Sequence, residues 1–358
     1  MLRIRELIIF VMLLSCALSE EDDSDYHGLE EMMKNSTSSE NDENVKNEEN
    51  VENVKNEENV ENDENVEEQL TEMKISASQG ILASDQSSNP IVKVKIGRQE
   101  EMPNRGCGFA NSKSQQPADD LTSRFGEFNW MIRIMANDLF LGIGTLIAPN
   151  IVLTTAGSVY EYVSSNLTVI AGEWDLNSEN EIYPHLKRTV HTIISHLDDD
   201  DGINDIALLE LRVSFSRQPN INTICLGIPI TIVDQDNCIS IAWPEEGSKP
   251  QQHRLAIQSD EFCSQLVPKT YVRGNKLESG LICATHLDNA PDLNVGTALF
   301  CPIQGAPNRY TQLGIFIGTE NRTGTATELF SHVNHFMPWI YKQLGPRRID
   351  LKHFLPIV

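Results

Sequence analysis

Few residues in this chain join a reactive side chain to a neighbourhood that could use it. Asp205 is a carboxylate in Asn204-Asp-Ile-Ala-Leu-Leu209. Thr155 stands near the end of Val152-Leu-Thr-Thr-Ala156, and Thr297 lies inside Leu293-Asn-Val-Gly-Thr-Ala-Leu-Phe-Cys-Pro302. Hydrolysis by nucleophilic attack asks for a hydroxyl or thiol, a base to take its proton, and a carboxylate to orient the base. A threonine hydroxyl needs that base beside it. His185, His191, His196 and His286 are all present, but no local motif sets any of them next to Thr155 or Thr297. The chain holds parts of such a relay and not the relay.

The elements that must position these residues are short. From Cys107 onward, apolar runs rich in Ile, Val, Leu and Thr alternate with Gly, Asn, Asp and Pro. Trp130–Ile134, Leu139–Ile147, Ile151–Thr155, Leu167–Ala171, Ile206–Leu211, Ile239–Trp243 and Gln312–Ile317 are examples. Many short strands separated by turns predict an all-β barrel or sandwich. Phe336–Leu344 reads as a helix, with Pro338 in its first turn and Gly345 just past its end. A short tail, residues 346–358, follows.

The N-terminal part has another character. Arg3 and Arg5, the apolar run Ile8–Leu14 and the small residues around Ala17-Leu-Ser19 read as a secretory signal over residues 1–19. Residues 20–90 are acidic, polar and nearly free of aromatics, a composition that predicts disorder. Between Glu20 and Leu70 there are 20 acidic residues against three lysines, most of the chain's net charge of −24. Inside it Asn44–Glu52 is repeated residue for residue as Asn53–Glu61. The region reads as a solvated spacer or as a polyanionic tether for a basic partner or calcium. Residues 91–106, with the alternating Ile91–Ile96, form a linker or a short strand. Clustered basic charge is missing, which argues against nucleic-acid binding, and no later run is long and apolar enough to span a bilayer.

Cys16 falls in the signal. Cys107, Cys225, Cys238, Cys263, Cys283 and Cys301 remain, an even set that in an oxidising compartment predicts three disulfides. Six cysteines allow fifteen pairings, and counting alone cannot choose among them.

Several stretches, in this order, resemble chymotrypsin-like serine proteases, and most nearly the insect clip-domain homologues of the prophenoloxidase-activating-factor type. They are Phe125-Gly-Glu-Phe-Asn-Trp130, Gly144-Thr-Leu-Ile147 with Val152–Ala156, Ala171-Gly-Glu-Trp-Asp175, Asn204–Leu209, Cys301-Pro302 and Pro338-Trp-Ile340. The resemblance covers residues 107–345 and implies a double six-stranded β-barrel with a C-terminal helix. It implies the pairs Cys107–Cys225, Cys238–Cys301 and Cys263–Cys283. Two further family bridges are lost, with Gly142 and Ser158 at the two ends of one and Pro291 at a cysteine position of the other. No cysteine lies between Cys16 and Cys107, so the clip module itself is not expected.

The resemblance also assigns roles, and most of them are vacant. The catalytic histidine falls at Gly157, the aspartate at Asp205 and the nucleophilic serine at Val295. Leu293 takes the place of the glycine that shapes the oxyanion loop. Asn294 takes that of the aspartate that pairs with a new N-terminus after zymogen cleavage, and no suitable cleavage motif follows Arg105 or Arg124. Loss of the serine or histidine alone costs about a millionfold in kcat in a related triad. The family's Ser-Trp-Gly strand falls at Ile317-Gly-Thr319 and its pocket floor near Asn289, so a tryptic specificity pocket is not expected.

In some relatives the loop holding Glu173, Asp175, Glu179 and Glu181 binds calcium through oxygens. Glu173 and Glu181 are therefore calcium candidates, with an ordinary acidic loop as the alternative and no other cofactor expected. Asn35, Asn166 and Asn321 begin N-glycosylation sequons. The chain is thus expected to be a secreted, inactive protease homologue. It would bind a protease, zymogen or inhibitor as cofactor, scaffold or decoy in an extracellular cascade, with innate immunity, melanisation or reproductive fluid as settings. Alternatives are a working acidic tether carried by the β-domain, and residual endopeptidase activity.

Overall fold

The computed structural model describes residues 106–111, 121–196, 205–245, 248–288, 292–306, 308–321, 324 and 326–356. The signal, the acidic repeat, Asn35, Ile91–Ile96 and Asn289 lie outside the described residues. Fourteen strands and two α-helices are described, and twelve of the strands close into two antiparallel barrels. Among the described residues no helix is long and apolar enough to cross a membrane.

The first barrel contains β1 (Met131–Ala136), β2 (Leu139–Ala148), β3 (Ile151–Thr154), β4 (Leu167–Ala171), β5 (Leu186–His196) and β6 (Ile206–Leu211). Its order is β1-β2-β3-β6-β5-β4. In β1, Ile132, Ile134 and Ala136 point inward while Met131, Arg133 and Met135 lie nearer solvent, the period of two that a half-buried strand requires. β3 is buried on both faces and reads as an unbroken apolar run. β5 was not among the runs singled out above. Ten of its eleven residues are half-buried or exposed, so polar residues dilute its alternation.

The second barrel contains β7 (Cys238–Ala242), β8 (Gln251–Ile257), β11 (Leu281–His286), β12 (Ala298–Pro302), β13 (Tyr310–Glu320) and β14 (Thr327–His332). Its order is β11-β14-β13-β12-β7-β8. A two-residue ribbon, β9 (Val272–Arg273) with β10 (Lys276–Leu277), lies beside it. Helix α1 (Asp260–Leu266) is capped by the Ser259 hydroxyl, which accepts from the Phe262 N–H at 3.2 Å. Helix α2 (Met337–Leu344) has Pro338 in its first turn and Gly345 at its end.

Between the barrels lies one apolar cluster that includes Trp130, Leu153, Leu208, Leu226, Phe300, Ile315 and Ile340. The C-terminal segment packs into it. Phe354 is fully buried there, its carbonyl accepts from the Leu226 N–H at 2.8 Å, and the His353 carbonyl accepts from the Thr223 hydroxyl at 2.5 Å. Three disulfides tie the chain: Cys107–Cys225, Cys238–Cys301 and Cys263–Cys283. The first spans 118 residues and anchors the 106–111 segment, where a Cβ on Gly108 would meet the Tyr310 carbonyl at 2.2 Å. Only glycine fits so close an approach at its φ of +75°.

Candidate functional site

Asp205 stands at the entry to β6, and Gly157 follows β3 at the start of the next loop. Strand β3 pairs with β6, Thr154 opposite Ala207. That pairing brings together two residues 48 positions apart. The Gly157 N–H donates to Asp205 Oδ1 at 2.7 Å. A Cβ built on Gly157 would lie 3.2 Å from Asp205 Oδ2, and its three nearest atoms would all belong to that carboxyl group. Burial pushes the Asp205 carboxyl above its ordinary pKa, while the N–H groups of Gly157 and Ala156 pull it down. Among the described residues Asp205 has no ion-pair partner. Its backbone carbonyl accepts from the Ser331 hydroxyl at 2.9 Å, which holds it to the second barrel.

Val295 arrives from the second barrel, in the loop before β12. Its carbonyl accepts from the Ile143 N–H at 2.9 Å, and its residue is 39% exposed. Gly142 and Gly296 permit this crossing. A Cβ on Gly142 would lie 2.6 Å from the Val295 carbonyl oxygen; one on Gly296, at φ +82°, would lie 2.0 Å from that of Ile143 and 2.8 Å from Thr154 Oγ1. Gly296 thus backs onto Thr154 of β3, three residues before Gly157.

Leu293 is buried in the second barrel's core. Asn294 Oδ1 accepts from the Trp243 N–H at 2.9 Å. Neither threonine finds an imidazole. Thr155 Oγ1 pairs with Ser158 Oγ at 2.8 Å, and Thr297 Oγ1 is buried with no partner among the described residues. His185 bonds to Glu173, His191 is exposed on β5, His196 stacks at 5.3 Å on Trp339, and His286 bonds to Glu328 at 3.1 Å.

Ile317-Gly-Thr319 forms part of β13 against β14. Here Glu328 bridges two partners. Its Oε2 accepts from the Thr319 hydroxyl at 2.5 Å, and its Oε1 meets His286 Nε2. Behind this chain His253 is fully buried, its ring 5.7 Å from that of His286, and neither of its nitrogens has a partner among the described residues. Sequence reasoning passed over His253. The signal was the alternation of β8, which places His253 on the same inward face as Leu255.

Of the four acidic residues in the 173–181 loop, two converge. Glu173, Glu181 and His185 offer ligand atoms within 4.8 Å of one another. Glu173 Oε2 meets His185 Nδ1 at 2.9 Å, and Glu181 Oε1 accepts from the N–H groups of Trp174 and Asp175, both at 2.9 Å, while Glu181 Oε2 is buried with no partner among the described residues. Asp175 instead faces Lys249 at 3.8 Å, and Glu179 is exposed. Calcium prefers six to eight oxygens, whereas this cluster supplies two carboxylates and a nitrogen. Asn166 and Asn321 are both exposed, as a sequon requires.

The family model described as trypsin matches residues 121–340. Among similar proteins, phenoloxidase-activating factor 2 of Galleria mellonella is 29% identical over 289 residues, 70% of this chain and 93% of that protein. The inactive CLIP domain-containing serine protease A8 of Anopheles gambiae is 27% identical over 259 residues, 66% of this chain and 70% of its own length. Inactive serine protease scarface of Drosophila melanogaster is 26% identical over 224 residues, 61% of this chain and 32% of that protein. Several relatives thus carry names that declare them inactive, and the family match spans the strands of both barrels. With the family match covering more than half of its length, the chain belongs to the trypsin family.

Proposed function

We propose that this chain is a secreted, catalytically inactive member of the family that acts by binding another extracellular protein. A protease, zymogen or inhibitor of a proteolytic cascade fits best, with this chain as cofactor, scaffold or decoy. The observation that carries the reading is the contact between Gly157 and Asp205. In the family's reaction an imidazole stands over this carboxylate and takes a proton from a serine hydroxyl. On this reading a backbone N–H fills the first place, and at Val295 an isopropyl group fills the second. A valine offers no lone pair to a carbonyl carbon, and a glycine accepts no proton. Asn294 supports the reading too, since its amide carries no charge for a cleaved N-terminus to neutralise. The names of the inactive relatives, three disulfides and exposed sequons agree with secretion and binding.

The test is active-site titration of the secreted protein with a fluorophosphonate probe, before and after trypsin treatment, beside an active relative. No labelling above background is expected in either state. Stoichiometric labelling of one residue would overturn the reading.

For calcium, the small donor set of Glu173, Glu181 and His185 sets the expectation. Millimolar calcium should raise Tm by no more than about 1 °C over EDTA, read by scanning fluorimetry. A rise of several degrees that disappears in Glu181→Gln would make the loop a calcium site.

A further inference from the structure

The Gly157 position is exposed, while the carboxylate beneath it is half-buried and has no cationic partner among the described residues. Asp205 Oδ1 is satisfied by the Gly157 N–H, and Oδ2 faces the space that a side chain at residue 157 would enter. A desolvated carboxylate gains most from an opposite charge brought within a few ångströms. Exposed apolar side chains stand in the turn that follows Gly157 and in the loop before β12 that abuts β3. Tyr160, whose N–H donates to the Ala156 carbonyl, is 57% exposed, and Val295 is 39% exposed. A half-buried carboxylate facing an open glycine position, with Tyr160 exposed in the same turn, suits one kind of ligand, a cation carried on an apolar stem.

We infer that the notch over Gly157 receives an arginine or lysine side chain of the partner protein, its charged end on Asp205 and its stem against Tyr160 and Val295. The inference rests on the reading of this chain as a binding protein and adds the chemistry of what is bound. The guanidinium or ammonium group occupies the space left by the absent side chain and supplies a counter-ion that Asp205 does not find among the described residues. A glycine is needed there, because any larger residue would close the notch.

The experiment is a titration of the full secreted chain, labelled with nitrogen-15 at glycine, with N-acetyl-arginine amide and N-acetyl-lysine amide. The uncharged citrulline analogue is the control. The Gly157 amide signal should shift saturably with a dissociation constant on the order of millimolar, as a single weak contact gives. Asp205→Asn should weaken binding at least about tenfold, one unit charge being lost, and citrulline should give no saturable shift. Gly157→Leu leaves the carboxylate in place and should abolish binding, read on the Gly142 and Gly296 amides; the spread of the remaining glycine signals shows whether each variant is folded. No saturation by either cation, or equal shifts with citrulline, would overturn the inference. Fluorophosphonate labelling would overturn the functional reading beneath it, so the two failures are distinguishable.

Discussion

Replacing His253 by leucine should flatten the acid side of the stability profile. His253 is fully buried on the inner face of β8, and its two nitrogens have no hydrogen-bond partner among the described residues. Burial, and then the neighbouring His286, lower its pKa from 6.5 to about 4, against the opposing pull of Asp288, Glu328 and Asp292. The sign follows from proton uptake. Below pH 6.5 the unfolded imidazole takes up a proton and the folded one does not, so the unfolded chain binds more protons and stability rises with pH. The contribution is complete above about 6.5, is lost as pH falls towards 4, and changes little below that. At about 1.4 kcal/mol per pH unit this amounts to as much as about 3 kcal/mol. His332, likewise lowered to about 4 by burial, leaves a residual slope in the variant. Denaturant midpoints measured from pH 4 to 8 decide the matter. The His253→Leu curve should lie above the wild type at pH 4 to 5. Parallel curves would mean that His253 titrates normally in the folded protein.

Phe354→Ala should cost about 3–5 kcal/mol. The ring is fully buried in the cluster between the barrels, 6.2 Å from the ring of Tyr341 on α2. Its loss removes apolar burial and opens a cavity that a close-packed core closes poorly. At roughly 2–4 °C per kcal/mol for a domain of this size, Tm should fall by about 6–20 °C. Removal of residues 346–358 should do at least as much, since the bonds from Leu226 and Thr223 go with the ring. Phe354→Leu keeps most of the volume and should cost about 1 kcal/mol. Thermal unfolding of the three variants beside the wild type is the measurement. A change of under 1 °C in Phe354→Ala would show that the C-terminal segment is dispensable.

Both effects belong to residues that the linear chain does not mark. Phe354 follows a helix-ending glycine in a stretch with basic residues and no period, and nothing local says that it turns back onto Leu226. His253 sits in Gln-Gln-His-Arg-Leu, where alternation tells which side faces inward but not what stands opposite. Strand β5 was hard to read because its side chains meet water on nearly every position. Strands β1 and β3 were legible because one face, or both, is sealed by the barrel.

By itself the sequence determined the class of fold, through short apolar runs at strand period, and the number of cysteines available for bridging. It also determined which side chains can never do proton-transfer chemistry, since glycine and valine carry no group for it wherever they fold. The tertiary structure alone decided that Gly157 meets Asp205, that Val295 is pinned to Ile143, and that Glu173 and Glu181 converge while Asp175 and Glu179 do not. Those are contacts between distant segments, set by barrel closure and by glycines that let two backbones approach. Spacing along a strand fixes a side chain's direction, and only the packing of one barrel on another fixes its neighbour.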